Sequence, residues 1–423
     1  MTMKGLQKRC SPRSAYIHIP FCYRRCFYCD FAVIPLGDGA AGLEGPGSIS
    51  IKTYLNLLHR EISLSPKGPP LATVYIGGGT PSLLSPFQVE ELLNLLRGKF
   101  GLQDGAEVTL EMDPASFNRE KLNSFLNAGI NRVSVGGQSF DDLVLARLGR
   151  THKRKDLLEV CSWLDQAYGL GKLRSWNLDL IQNLPEQRLK DWYRELSEAL
   201  STFAPHLSIY DLSVEPGTVF ASLQKKGKLN LPNDEIAAEI MDLTNKTLSE
   251  AGFARYEISN YAFPGHVSRH NRVYWSGRGW WGFGQGATSA PWGERFARPR
   301  TLDGYRFWIE KQESEGLEPS LLALRATRMQ LDDEVLVGLR RREGVDLTAI
   351  SRDWGWNNSQ SEDYLAELHL LWRDSFESGL IEVCGTRIRL TNPLGMSLSN
   401  QVFVQLLIWW ESLPLDAVGE SNL

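Results

Sequence analysis

Three cysteines lie close together near the start of this chain, at Cys22, Cys26 and Cys29. Three residues separate the first pair and two residues separate the second. Thiolates are soft ligands that suit iron–sulfur clusters and zinc. Structural zinc sites and fully ligated cubane clusters normally take four protein ligands. A compact run that supplies only three therefore predicts a [4Fe–4S] cluster with one iron left open for a small molecule.

Short β-rich runs alternate with longer helical patterns from residue 15 onward, and this alternation predicts the elements that position the cysteines. The predicted strands are Ala15–Ile19, Thr73–Ile76, Glu107–Met112, Arg132–Val135, Trp176–Ile181 and Leu207–Leu212. The predicted helices are Lys52–Leu64, Pro86–Phe100, Arg119–Ala128, Arg154–Tyr168, Glu186–Leu200 and Glu235–Ala251. Such an α/β pattern implies a parallel sheet with right-handed crossovers, either a partial (βα)6 TIM-like barrel or an open doubly wound sheet.

Candidate binding groups lie at or just after the ends of these strands. Gly77–Pro81 follows the second strand, Glu111 ends the third, Gln138 follows the fourth and Asp179 lies in the fifth. In a βα barrel the carboxyl ends of the strands meet at one rim, so these groups should converge there. Consecutive glycines expose amides to a carboxylate or phosphate, although a tight turn also explains them. Each carboxylate either accepts hydrogen bonds from ribose hydroxyls or an amino group, or forms a salt bridge inside the barrel.

Two polar residues share one face of the first predicted strand, Tyr16 and His18. A histidine in a strand is more often a core residue with its hydrogen bonds satisfied than a ligand. A non-catalytic alternative is a structural zinc site made by the cysteine trio and His18. Zinc, however, gives no reason for the glycine motif or for the carboxylates at the rim.

Composition excludes several classes of protein. The 423 residues predict one large domain with one or two small ones, and the net charge of −4 gives no reason to expect a nucleic-acid partner. Six cysteines in so long a chain favour metal binding in a reducing compartment over a disulfide scaffold. Cys10, Cys161 and Cys384 are interpreted as plain thiols. No apolar run approaches the roughly 18 residues that span a bilayer, and Val402–Trp410 is predicted as a buried terminal helix.

The domain boundaries follow from changes in pattern. We expect an N-terminal tail over 1–13, a core over 14–260, a connector over 261–330 and a C-terminal domain over 331–423. The loop Gly37–Ser50 holds five glycines and is predicted to be a flexible excursion. Late strands at Leu380–Val383 and Arg387–Leu390, turned by Gly385, follow predicted helices, which favours a small winged-helix-like α+β domain.

The first fourteen residues carry Lys4, Lys8, Arg9 and Arg13 and no acidic residue. We expect no secretory signal peptide here. The basic pattern resembles the end of an organelle-targeting segment. The predicted location is the cytoplasm, with the chloroplast stroma or the mitochondrial matrix as the alternative.

The cysteine spacing resembles the signature of the radical S-adenosylmethionine (SAM) superfamily. Further motifs narrow the resemblance to the oxygen-independent coproporphyrinogen III oxidase family, from about residue 14 to past residue 390. They are Ala15–Cys22, Gly77–Pro81, Ser134–Phe140, Leu148–His152, Asp179–Ile181, Tyr210–Gly217, Tyr256–Tyr261 and Leu390–Gly395. The resemblance implies a radical SAM core with a C-terminal domain of the HemN type.

The same resemblance implies the cofactors and their contacts. Cys22, Cys26 and Cys29 would hold the [4Fe–4S] cluster, and Gly78, Gly79 and Thr80 would meet the methionyl end of SAM. The remaining pocket residues would be Tyr16, Glu111, Gln138, Arg150 and Asp179. Reductive cleavage of SAM to a radical would be the chemistry of the cofactors, and an electron donor would then be a partner.

One branch of the family, which resembles the HemW heme chaperones, fits best. Dehydrogenases of this family carry a further cysteine two positions after the third, where this chain has Phe31. The chain also holds His270-Asn271-Arg272-Val273-Tyr274-Trp275, a motif associated with heme binding in that branch. Imidazole is a ligand of heme iron, so His270 is predicted to contact heme.

The expected function is therefore delivery of heme to hemoproteins, with little or no coproporphyrinogen oxidation. The alternative is the coproporphyrinogen III dehydrogenase itself, and a homodimer stays open. Three positions depart from the common family pattern. Gly137 replaces an aliphatic residue, Asn183 replaces a glycine, and Gly284–Thr288 lacks the usual proline and histidine.

Overall fold

A computed structural model describes residues 12–37, 46–291, 295–315, 329–415 and 417–418. Its strands, in chain order, are β1 (Ser14–Ile19), β2 (Phe21–Cys22), β3 (Ile34–Pro35), β4 (Leu71–Gly78), β5 (Leu102–Met112), β6 (Arg132–Gln138), β7 (Ser175–Gln182), β8 (His206–Asp211), β9 (Ala254–Arg255), β10 (Asn260–Ala262), β11 (Trp281–Phe283), β12 (Thr288–Ser289), β13 (Phe296–Ala297), β14 (Ile381–Cys384) and β15 (Arg387–Leu390).

The described helices lie on the outside of the main sheet and in the C-terminal part of the chain. They are α1 (Pro46–Leu64), α2 (Pro86–Lys99), α3 (Arg119–Ala128), α4 (Asp142–Leu148), α5 (Arg154–Gly169), α6 (Leu189–Ser201), α7 (Val219–Lys225), α8 (Asp234–Glu250), α9 (Arg269–Trp275), α10 (Leu302–Glu315), α11 (Leu331–Leu339), α12 (Leu347–Trp354), α13 (Asn358–Leu371), α14 (Arg373–Glu377), α15 (Leu394–Ser397) and α16 (Ser399–Ser412).

The main sheet has nine strands in the order β11-β1-β4-β5-β6-β7-β8-β10-β9. The strands from β1 to β8 in this order pair in parallel, as does β11 on the outer side of β1. At the other edge β10 and β9 turn antiparallel. The six predicted strands and the partial βα barrel are thus confirmed. The barrel is open because β11 and β9 end the sheet.

The core fills both faces of the parallel strands, as expected when helices cover the outside. Fully buried Ile17, Val74, Leu110 and Leu178 belong to one cluster that extends from strands to helices. Local signals start several of the helices where the sequence predicts them. For example, Ser85 and the side chain three residues later form a capping box at α2.

The structure corrects several element boundaries. Helix α1 begins at Pro46, inside the segment predicted to be flexible, while residues 38–45 of that segment lie outside the described residues. Helix α6 begins only at Leu189, since Glu186 has a left-handed φ of 62°. Helices α4 and α7 were not predicted, because each is a short turn inserted between a strand and a longer helix.

The segment 261–330 does more than connect two domains. It contributes β11, whose Trp281 pairs with Ala15 of the first strand. It also contributes α9, which carries the His270–Trp275 motif and packs against β4. The Gly- and Trp-rich sequence has no period that predicts a strand, so the pairing with β1 determines the structure here.

A second core lies in the C-terminal part of the chain and includes Leu331, Leu368, Val402 and Trp409. Its hairpin, β14 and β15, follows helices as expected for a winged-helix-like domain. The predicted terminal helix is present as α16, but only one of its faces is buried, since Val404, Leu407 and Ile408 are exposed. None of the described helices is both long and apolar enough to cross a membrane.

Two cysteines outside the trio differ in exposure. Cys161 is buried in the barrel core, as a plain thiol commonly is, whereas Cys384 on the hairpin is free but exposed. Cys10 lies outside the described residues.

Candidate active site at the carboxyl ends of the strands

A cavity of about 430 Å³ opens at the carboxyl ends of the parallel strands. It brings together residues that are far apart in the chain, as the rim of a βα barrel should. Ten of the predicted site residues line it, namely Cys22, Cys26, Cys29, Gly78, Gly79, Thr80, Glu111, Gln138, Arg150 and Asp179.

The three thiols lie on the segment that runs from the end of β2 into the loop before β3. Cys22 ends β2 and is buried, whereas Cys26 and Cys29 are half-buried. Burial raises the pKa of Cys22 to about 12 and also raises that of Cys29. Thiolates there need a positive partner, which the irons of a cluster would supply. A guanidinium nitrogen of Arg150 lies 3.7 Å from the Cys26 sulfur.

The base of this loop is closed by hydrogen bonds within the protein. The Ile34 amide donates to the Pro20 carbonyl over 2.6 Å, and the Leu36 amide donates to the Cys22 carbonyl over 2.8 Å. His18 Nε2 lies 3.0 Å from the carbonyl oxygen of Ala32, on the far side of the loop. His18 thus holds the loop that carries the thiols.

The zinc alternative does not fit this arrangement. Among the described ranges, no group of three or more histidine, cysteine, aspartate or glutamate side chains could hold a single metal ion. Both ring nitrogens of His18 are engaged, one by Ala32 and the other by the Tyr16 hydroxyl at 3.0 Å. His18 is therefore not free to serve as the fourth ligand that a zinc site needs.

The glycines after β4 let the backbone approach the cysteine loop. A Cβ atom at Gly79 would lie 2.8 Å from the Cys22 sulfur and 2.7 Å from a carbonyl oxygen. Gly78 has φ of 119°, a left-handed conformation that side chains other than glycine rarely adopt. The glycines therefore form a floor beside the thiols that no larger residue could replace.

Two carboxylates lie in the cavity wall. Glu111 accepts hydrogen bonds from the Tyr75 hydroxyl at 2.8 Å and from the Gly78 amide at 2.9 Å. Asp179 accepts one from the Ser134 hydroxyl at 2.8 Å. Burial raises the pKa of Glu111 to about 7 and that of Asp179 to about 6. A polar or cationic ligand would restore their ionised forms.

Arg150 and Gln138 complete the wall. Arg150 forms an ion pair with Asp113 over 2.6 Å and donates to the Gly136 carbonyl over 2.8 Å. Gln138 has a left-handed φ of 61°, and its side-chain oxygen is buried without a hydrogen-bond partner in the described part of the chain. An acceptor left unpaired in a cavity wall fits a ligand with hydroxyl or amino donors.

Two predicted cofactor contacts do not line the cavity. Tyr16 lies deeper in the barrel, where its ring stacks on that of Tyr75 at 6.2 Å. His270 is fully buried, with Nδ1 2.8 Å from the Thr73 hydroxyl and Nε2 2.9 Å from the Tyr274 hydroxyl. Because both nitrogens are engaged, heme contact through His270 would require Tyr274 to move, and that contact stays a prediction.

Some lining residues were missed from the sequence. Asp113 stands two positions after Glu111 and so shares its side of the strand end, a signal that alternation offers. Ser134 lies within the Ser134–Phe140 motif. Its hydrogen bond to Asp179 follows only from the pairing of β6 with β7. Among the departures, Asn183 adopts φ of 59°, the left-handed conformation expected where a glycine is usual.

Comparisons with known proteins identify the relatives of this chain. The model of the radical SAM superfamily matches residues 16–195. The chain is 41% identical to the heme chaperone HemW of Synechocystis over 79% of each protein. It is 36% identical to HemW of Bacillus subtilis, over 92% of this chain and 98% of that one. A mitochondrial radical SAM domain-containing protein 1 of Bos taurus is 38% identical over 79% of this chain and 75% of its own length.

Among solved structures, coproporphyrinogen III oxidase (HemN) of Escherichia coli superposes with a TM-score of 0.74. That match covers 94% of this chain and 90% of the other at 23% identity, so it shows a shared fold. The superfamily implies a [4Fe–4S] cluster and SAM, and the thiol loop, the glycine floor and the unpaired Gln138 acceptor fit both. The chain belongs to the HemW family of radical SAM proteins.

Proposed function

We propose that this protein binds a [4Fe–4S] cluster, SAM and heme, and that it delivers heme to hemoproteins without oxidising coproporphyrinogen III. Several relatives that share 36–41% of its residues carry the name heme chaperone. When bound, the cluster would supply the electron for any reductive cleavage of SAM, and an external electron donor is a partner if SAM is cleaved. The protein's own residues bind the cofactors and shield the cavity from water.

Phe31 is the observation that carries this proposal. It stands where the dehydrogenases of the family have their further cysteine, and its side chain is 57% exposed in the wall of the cavity. An exposed aromatic ring can stack on a flat macrocycle, while a thiol at this position is absent. Arg24 and Arg25 are exposed beside it and suit the propionates of heme. The heme is therefore proposed to lie across the mouth of the cavity.

The first test asks whether the protein oxidises coproporphyrinogen. The anaerobically reconstituted protein receives coproporphyrinogen III, SAM and a reductant, and protoporphyrinogen is measured. We expect no turnover. Robust protoporphyrinogen formation would instead identify the protein as the dehydrogenase.

The second test measures heme binding and transfer. Phe31→Ala should weaken heme binding about tenfold, the effect of losing one buried aromatic contact. Phe27→Ala is the matched control, because Phe27 lies on the same loop and is 37% exposed but does not line the cavity. Heme-loaded protein should pass heme to a heme-free globin. Equal heme binding by the two variants would contradict the site, and no transfer would contradict the function.

Location and assembly are part of the proposal. The bacterial relatives favour a cytoplasmic protein, and an organellar matrix or stroma is the alternative that the basic N-terminus suggests. The proposed assembly is a monomer or a homodimer.

A further inference from the structure

The His270–Trp275 motif lies on α9, away from the cavity. Thr73, which His270 contacts, is near the start of β4, whereas the cavity lies at the other end of that strand. Burial lowers the pKa of His270 to about 3, so the ring is neutral, with one donor and one acceptor nitrogen. The Thr73 and Tyr274 hydroxyls engage both nitrogens. The side chain is therefore fixed and fully satisfied.

One residue, Tyr75, links the ring of His270 to the cavity wall. The His270 ring stacks on the Tyr75 ring, with 5.2 Å between centroids and 27° between planes. The Tyr75 hydroxyl donates to one oxygen of Glu111 over 2.8 Å, and the Gly78 amide donates to the other over 2.9 Å. A buried series of contacts thus connects His270, through Tyr75, to the Glu111 carboxylate that faces the cavity.

Helix α9 is held in place at both ends. At its start, Glu107 of β5 accepts the backbone N–H groups of Arg269 at 3.0 Å and His270 at 2.9 Å. At its end, the guanidinium of Arg340 lies 5.0 Å from the ring of Trp275. A histidine on so firmly attached a helix can act as a fixed support for its neighbours.

We propose that His270 is a positioning residue for the SAM pocket, which supports Tyr75 so that its hydroxyl orients the Glu111 carboxylate toward the ligand. The inference rests on the part of the proposed function in which SAM occupies the rim cavity, and it does not depend on heme.

The test measures SAM and heme binding separately in the full-length, anaerobically reconstituted protein. SAM binding at the cluster is followed by titrating the electron paramagnetic resonance signal of the reduced cluster, and heme binding by absorbance. The variants are His270→Ala, which removes the support, and Tyr75→Phe, which keeps the stacked ring but removes the bond to Glu111. His266→Ala is the control, since His266 contacts Tyr168 and Ser175 instead.

Both variants should weaken SAM binding about tenfold, the scale of one lost hydrogen bond to a charged group. Iron content and heme binding should match those of the control. Tyr75→Phe should also shift the pH midpoint of SAM binding upward, because the lost hydrogen bond favours the ionised carboxylate. A change confined to folding would leave this midpoint in place.

Three results would overturn the inference. One is unchanged SAM binding in Tyr75→Phe. Another is an unshifted pH midpoint in that variant. The third is a His270→Ala variant that loses heme while it keeps SAM, which would restore direct heme contact. Failure of the wild-type protein to bind heme would refute the proposed function alone, since the SAM measurements would still support His270 as a positioning residue.

Discussion

At the scale of single residues, a buried carboxylate in the cavity wall lowers the stability of the folded protein when it is ionised. Glu111 is aimed at the ligand by Tyr75 and Gly78, and the same burial that aims it disfavours its ionised form. Residues fixed for ligands commonly have this cost. The unfolded chain has no such burial, so the pH dependence of stability reports on the site.

Glu111→Gln should flatten that pH dependence. The folded pKa of about 7 lies above the ordinary value of 4.5, so the folded protein keeps a proton that the unfolded chain releases. Stability from this group is therefore present below pH 4.5 and is lost as the pH rises to about 7. Without SAM, the variant should lose less unfolding free energy over this range than wild type, by on the order of 1–3 kcal/mol. Urea unfolding at pH 5 and pH 8 checks this, and parallel pH profiles would contradict it.

At the scale of elements, strand ends and their neighbours adapt to each other. Gly137 replaces an aliphatic residue that is usual in the family, and the space is filled by leucine side chains. A Cβ atom at Gly137 would lie 2.7 Å from the Leu178 methyl and 3.1 Å from that of Leu157. Leucine side chains from β7 and α5 thus occupy the space that the missing side chain at Gly137 of β6 leaves.

Gly137→Ala should destabilise the protein by about 1–3 kcal/mol, since the added methyl group overpacks the core. Gly98→Ala is the matched control. Gly98 lies within α2 with nothing inside 4 Å of the added atom, so the same change should stabilise by about 0.5–1 kcal/mol. Opposite shifts of the denaturation midpoints are expected. A neutral or stabilising Gly137→Ala would show that the leucines move freely.

The sequence predicts those site residues whose positions follow from local patterns, and it fails for those whose positions depend on contacts between distant parts of the chain. Alternation and helical period predict the parallel strands and the residues at their ends, because those signals are local. The depth of Tyr16 and His270 in the barrel is not local, since it depends on the register of β1 and on the position of α9. Strand β11 is only three residues long, so its pairing with β1 could not be predicted.

At the scale of the molecule, α9 joins the barrel to the C-terminal core. The guanidinium of Arg340 lies over the rings of Trp275 and Phe403, at 5.0 and 5.7 Å. Nearby, Arg272 and Glu343 form a more exposed ion pair. Exposed pairs contribute little, whereas cation–π contacts shielded from water contribute more.

Arg340→Ala should therefore loosen the attachment of the C-terminal domain, by roughly 0.5–2 kcal/mol. Glu343→Gln should change the same attachment by less than about 1 kcal/mol. Hydrogen exchange of α9 and α11 measures the effect, with faster exchange expected only in the first variant. Equal exchange in both would mean that other contacts hold the two cores together.

The thiol loop has a consequence for maintenance of the protein. All three thiols belong to one segment, and its base is closed by main-chain hydrogen bonds and by His18. Beyond its base the segment packs through Tyr28 against a small separate cluster that includes Leu148 and Phe220, and not against the main barrel core. We therefore expect the barrel core to stay folded when the segment carries no cluster, so that the three thiols would remain available on one segment for a new one.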